Sequence, residues 1–261
     1  MPAFTDQLGR TVTLGHPPSR IISLVPSQTE LLATLGASVV GITKFCVHPA
    51  AWFHTLPRIG GTKDLHPEKI AALRPDLIIA NKEENDRVQV ESLAARYPVW
   101  VSDIHDLPGA LNMIRSIGDL TCQSAKAQTL ATDIASAFDN LTPAAASPVT
   151  AYLIWRTAAP LSYMAAGGDT FINDMLGRCG LTNHFADHTR YPTVTVDDLA
   201  ACDLILLSSE PYPFRDRHIT ELQTLLPRAA IRLVDGELFS WYGSRLRHAP
   251  AYFQQLINGI S

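Results

Sequence analysis

The stretch RIISLVPSQTELLATLG, residues 20–36, decides how the chain reads. Arg20 to Val25 is an unbroken apolar run of strand length; Pro26 interrupts it, and Leu31, Leu32 and Leu35 then recur at helical spacing up to Gly36. A short strand without polar alternation is one buried on both faces, as in a parallel sheet covered by helices. Ser27-Gln-Thr-Glu30 reads as a capping box at the start of the helix, and Gly36 as its stop.

Outward from this stretch the same unit recurs. VVGI (39–42), LIIA (77–80) and PVWV (98–101) are short buried runs, separated by helical patterns at 68–73 and 86–95 and followed by a helical stretch at 107–120. Upstream, FTDQLGRTVTL (4–14) places two β-prone pieces around Gly9-Arg10, a hairpin. From Cys122 to Leu141 no Gly or Pro interrupts an Ala-rich segment, which predicts a helix of about 20 residues, or about 30 Å. TPAAASP (142–148) breaks the pattern, and the alternation restarts at VTAYLIW (149–155).

The second half echoes the first. PEKIAALRPDLIIAN (67–81) lines up with VDDLAACDLILLS (196–208), and GGDT before FINDMLGRCG matches SQT before ELLATLG, each helix following a Thr and ending at Gly. The expected fold class is therefore α/β: two similar parallel-sheet lobes, 1–120 and 148–261, joined by one long rigid helix and linker at 121–147. A ligand cleft would lie between the lobes, where the loops at the carboxyl ends of the strands meet.

Those loops hold Pro26, Lys44 to Trp52, Asn81 to Asn85, Trp155 to Tyr163, Glu210 to Phe214 and Phe239 to Arg245. They are rich in aromatics: Phe45, Trp52, Trp155, Tyr212, Phe214, Trp241 and Tyr242. Loops are normally polar, so this set points to a large flat or apolar ligand. Lys82, Glu83, Glu84, Arg156, Glu210 and Arg245 would form its polar rim, and His48 is the candidate axial ligand or hydrogen-bond donor.

Composition narrows the classes. With 21 Lys+Arg against 25 Asp+Glu, a net charge of -4 and 46% hydrophobic residues, the chain has neither a basic footprint for nucleic acid nor a polybasic membrane patch. No apolar run reaches the roughly 20 residues of a membrane span, and the first residues lack a signal-peptide pattern, so the chain as written reads as cytoplasmic or already trimmed. Cys46, Cys122, Cys179 and Cys202 form no C-x-x-C pair and read as small buried groups; His184 and His188 are four apart, but in a turn-like segment. The G-x-x-x-x-G at 36–41 lacks the Lys-Ser/Thr of a phosphate loop, and no G-x-S-x-G or G-x-G-x-x-G occurs.

The segments DQLGRTVTL, RIISLVPSQTELLATLG with VVGIT, PRIGG, PEKIAALRPDLIIA, the linking helix and AGGDTFINDMLGRCG together resemble the helical-backbone (class III) periplasmic substrate-binding proteins of ABC importers, along nearly the whole chain. The resemblance implies a monomeric, periplasmic receptor with no catalysis and no intrinsic cofactor. Its ligand would be a metal chelate, cobalamin or another corrinoid or a ferric siderophore, delivered to a permease dimer. The acidic residues with which family members pair to permease arginines fall on Glu68 in PEKI and on Asp197 in VDDL, the latter shorter than the usual Glu. Phe45 takes the place of a ligand-stacking aromatic, whereas Thr62 stands where cobalamin-binding members carry a tryptophan; Trp52 or Trp241 would substitute. The alternative from another class is a chelatase-like enzyme acting on a tetrapyrrole or metal, with His48 and Glu83 or Glu84 as ligands.

Overall fold

The computed structural model describes residues 2–260. The chain forms two compact units. The first takes residues up to Ile104, Pro108–Ala135 and Tyr242–Arg245; the second takes His105–Leu107, Ser136–Trp241 and the chain from Leu246 onward.

In the first unit, β1 (Ala3–Thr5) and β2 (Thr11–Thr13) form the expected antiparallel hairpin, with Phe4 opposite Val12. Asp6 holds its turn by accepting from the backbone N–H groups of Leu8 and Arg10. The chain then runs through β3 (Ile21–Ser23), α1 (Pro26–Leu35), β4 (Val39–Ile42), α2 (Ala50–Thr55), α3 (Pro67–Leu73), β5 (Leu77–Asn81), α4 (Arg87–Ala94), β6 (Val99–Ser102), α5 (Leu107–Leu120) and α6 (Ser124–Asp139). The sheet order is β4-β3-β5-β6, every pair parallel. Ile22, Ile78 and Val101 pack with Leu65, Ile70, Val90 and Leu93 in one of its cores.

Several expectations need correction here. The capping box does not form: α1 begins at Pro26 with Val25 as its N-cap, and no side chain caps it. Proline at the first helical position has no N–H to satisfy and is already set at a helical φ, which draws the start forward. Ser27 and Thr29 are therefore inside the helix rather than in front of it. Gly36 does stop it, in the left-handed conformation at φ 80°. The helix expected from Cys122 to Leu141 spans 16 residues, roughly 24 Å, and not the expected 20. It starts late because Cys122 sits in the left-handed region at φ 58°; this cysteine is also exposed, unlike the other three.

The second unit contains β7 (Val149–Ala158), β8 (Leu161–Ala165), α7 (Phe171–Arg178), β9 (Thr182–Asn183), β10 (Thr193–Val194), β11 (Leu204–Ser208), α8 (Asp216–Leu225), β12 (Ala230–Val234), α9 (Gly236–Ser240) and α10 (Ala249–Asn258). Its sheet order is β10-β8-β7-β11-β12, with β9 also beside β7. β7, β9, β11 and β12 run parallel, but β8 pairs antiparallel with both β7 and β10, so this sheet is mixed. The departure begins at β7, which the sequence ends at Trp155 and which continues to Ala158, folding back as a hairpin instead of a loop. The echo of α3 is reduced to a single 3-10 turn at Asp197–Leu199, where Asp198 accepts from the backbone and hydroxyl of Thr195. By contrast α7 keeps the expected cap, Thr170 accepting from the Asn173 N–H at 3.2 Å.

Candidate functional site

In the first unit, the carboxyl ends of β3, β4, β5 and β6 are finished by a buried polar scaffold. Asn81 ends β5; its amide oxygen accepts from the N–H groups of Glu83 and Glu84 at 2.8 and 3.0 Å, and its amide nitrogen donates to Ser102 Oγ at the end of β6. Asn85 accepts from Asn81 N and donates to the carbonyls of Leu24 and Thr62. Paired buried amides of this kind fix a loop because an unmet partner would cost about 1–3 kcal/mol. The scaffold leaves Lys82 outside, ion-paired to Asp103 at 2.6 Å, and sets Glu83 and Glu84 half-buried beside it.

After β4 the chain presents Phe45. This residue is 52% exposed, with Lys44 Nζ 5.1 Å from its ring centroid. Behind it Cys46 is wholly buried, accepting a hydrogen bond from Thr29 and sharing one with the Thr43 hydroxyl, and burial pushes its thiol upward. His48 is half-buried in the loop, Trp52 lies half-buried on α2 rather than in a loop, and Pro26 opens α1.

Tyr242 and Arg245 belong to this unit although they are distant in sequence. The Tyr242 hydroxyl donates to Glu84 Oε1 at 3.0 Å, and Arg245 forms a two-pronged pair with Glu30 at 2.9 and 2.8 Å. Gly243 between them lies so close to α1 that a Cβ would stand 2.6 Å from the Ser27 carbonyl, hence a glycine there. The Arg245 guanidinium, expected at a ligand's polar rim, is held by Glu30, which the sequence reading places only in a capping box and which lies 215 positions away.

In the second unit, β7 outruns its parallel neighbour, pairing with β11 only from Thr150 to Leu153 and from Trp155 onward with β8 alone. Trp155 and Arg156 are thus strand residues that overhang the carboxyl end of the sheet, not members of a loop. Trp155 is 43% exposed and meets Tyr212 edge to face at 5.6 Å; Tyr212 leans on Phe214, which stacks on Tyr163. Arg156 is ion-paired to Glu221 of α8.

The remaining candidates are turned inward. Phe214 and Trp241 are buried, and the Trp241 indole N–H donates to Glu210 Oε1 at 2.8 Å, where Ser240 also donates at 3.1 Å. Burial pushes the Glu210 carboxyl upward, with Glu237 adding to the effect and these two donors opposing it. Among the described residues no group of three or more His, Cys, Asp or Glu is placed to hold a metal ion. His184 and His188 instead flank Phe185 edge-on. Burial pushes Cys179 up to about 12 and Cys202 to about 11, in keeping with small apolar groups.

Two α/β units, each with aromatic and charged side chains at the carboxyl ends of its parallel strands, have the arrangement of a class of ligand-binding proteins. Residues 21–207 match the periplasmic binding protein family, and the chain belongs to it. It is 26% identical over 200 residues to an uncharacterized ABC transporter substrate-binding lipoprotein of Bacillus subtilis, a match covering 73% of this chain and 63% of that protein. With the vitamin B12-binding protein of Photorhabdus laumondii it shares 29% over 175 residues, 65% of this chain and 62% of that one. The matched part thus spans somewhat less than two thirds of either relative. In fold it is similar to the periplasmic haem binding protein of Vibrio cholerae, with a TM-score of 0.76, 21% identity, and coverage of 91% of this chain and 98% of that one. The relatives are named as binding proteins, and the chelatase-like alternative finds no support among them.

Proposed function

We propose that this chain is the substrate-binding component of an ABC importer and that it binds a bulky metal chelate, a cobalamin or other corrinoid first and a ferric siderophore second. The observation that carries the reading is the placement of exposed aromatics. Among the described Phe, Tyr and Trp residues only Phe45 and Trp155 are exposed, and each stands at the carboxyl end of a sheet, one per unit. An aromatic ring left in water is costly unless a partner covers it, and a flat chelate is a fitting partner. The relatives named for vitamin B12 and haem support the ligand class; the substrate-binding lipoprotein supports an importer and a periplasmic or membrane-anchored setting. No helix among the described residues is long and apolar enough to cross a membrane. The metal would arrive with the ligand. Glu68, exposed at the start of α3, and Asp197, exposed at the start of the 3-10 turn, are the proposed permease contacts.

Titration of the full chain with cyanocobalamin, ferric catecholate and hydroxamate siderophores and haemin, read by tryptophan fluorescence, tests this. Saturable binding of one chelate is expected, weakened about tenfold, or about 1.4 kcal/mol, by Phe45→Ala or Trp155→Ala. Absence of binding to all of them, or unchanged affinity in both variants, overturns the reading.

A further inference from the structure

We infer that the second unit carries a carboxylate-recognition point built on Arg156, so that the preferred chelate bears at least one free carboxylate arm; this rests on the chelate-binding reading above and, within it, favours a carboxylate-bearing chelate over cobalamin, whose arms are amides.

Arg156 sits opposite Tyr163 on the part of β7 that overhangs the sheet, with its side chain 16% exposed. One Nη donates to Glu221 Oε1, and the Tyr163 hydroxyl is a further partner, yet Nε is buried and has none. A carboxylate approaching side-on takes Nε and an Nη together as two parallel hydrogen bonds. Glu221 takes only the Nη, so the structure holds half of that geometry and leaves the other half unmet. A buried N–H without a partner is unfavourable, which makes Glu221 a replaceable occupant: it is itself 37% exposed and can leave to water.

The surroundings favour an incoming anion over any other group. Arg215 and Arg217, both exposed, flank the start of α8 beside Asp216, so three guanidinium groups stand against the carboxylates of Glu221 and Asp216. His218 adds no charge. It is buried, its Nδ1 accepts from the Arg215 N–H at 2.9 Å, and burial together with Arg217, Arg156 and Arg215 keeps it neutral despite the opposing pull of Glu221. A carboxylate arm at the guanidinium satisfies Nε and an Nη together. An amide arm does not, because its NH₂ would face the N–H of Nε or Nη, donor against donor.

The test compares matched ligands on the full chain: haemin against its dimethyl ester, and cyanocobalamin against its monocarboxylic acid derivatives. The free acid of at least one pair is expected to bind about tenfold tighter than its neutral counterpart. Arg156→Gln should bring the members of that pair level, and Glu221→Gln, which removes the competing carboxylate, should tighten the acid further. Thermal melting identifies a variant that fails to fold, and Glu221→Gln then decides the matter alone, since a merely structural pair predicts lower stability without tighter acid binding. Acid and neutral forms bound equally in both pairs, or an acid preference indifferent to both substitutions, overturns this inference and leaves chelate binding standing. Failure of every chelate to bind overturns both.

Discussion

Glu210 shows how a single side chain is set between opposing forces. Burial raises its carboxyl above the ordinary value of 4.5, while the Trp241 and Ser240 donors favour the anion. Because the fold holds this proton more tightly than the unfolded chain does, the stability linked to it is complete below pH 4.5 and declines as pH rises through the folded value. Glu210→Gln has no such decline. Its melting temperature relative to the native protein should therefore rise as the pH climbs above 4.5, and a flat difference would show that the donors offset burial. Residues of this kind were visible in the sequence as types, not as roles. Glu210 and Arg245 were marked because they sit beside aromatics in loops, but Trp241 and Glu30, which occupy their polar atoms, could be assigned only once the backbone brought them together.

Elements were more legible, because burial on both faces and helical periodicity are local properties of a sequence. The strands at 39–42, 77–81 and 99–102 and the helix Leu107–Leu120 fall where the pattern sets them. The failures are at junctions, where residue chemistry competes with neighbours. Ser27 and Glu30 have the spacing of a cap, but Pro26 moves the helix start past them, leaving Ser27 Oγ buried without a partner. Asp86, by contrast, caps α4 by accepting from Gln89 N at 3.0 Å. Asp86→Ala should cost about 1 kcal/mol in denaturant unfolding, and Ser27→Ala less than about 0.5 kcal/mol or nothing. Equal costs would mean that the sequence pattern, and not the observed start, governs the first helix. Trp155 and Arg156 were misread for a related reason: an apolar strand followed by a Trp-Arg-Thr sequence gives no sign that a second strand will return to pair with it.

At the scale of the molecule, family membership and two α/β units agree with the repeat read from the sequence, whose first copy is better preserved than its second. If Glu68 and Asp197 are the permease contacts, alanine at either should depress chelate uptake in cells while leaving chelate affinity of the purified protein within about twofold, since both are exposed. Loss of affinity would move them into the binding site instead. The small segment Tyr242–Arg245 has a different kind of consequence. It supplies Glu84 and Glu30 of the first unit with their partners from near the end of the chain. A ribosome adding about 5–20 residues per second must therefore go on for several seconds after Ala135 before the missing piece exists. Glu84 and Glu30 thus receive these partners only after most of the second unit has been synthesised.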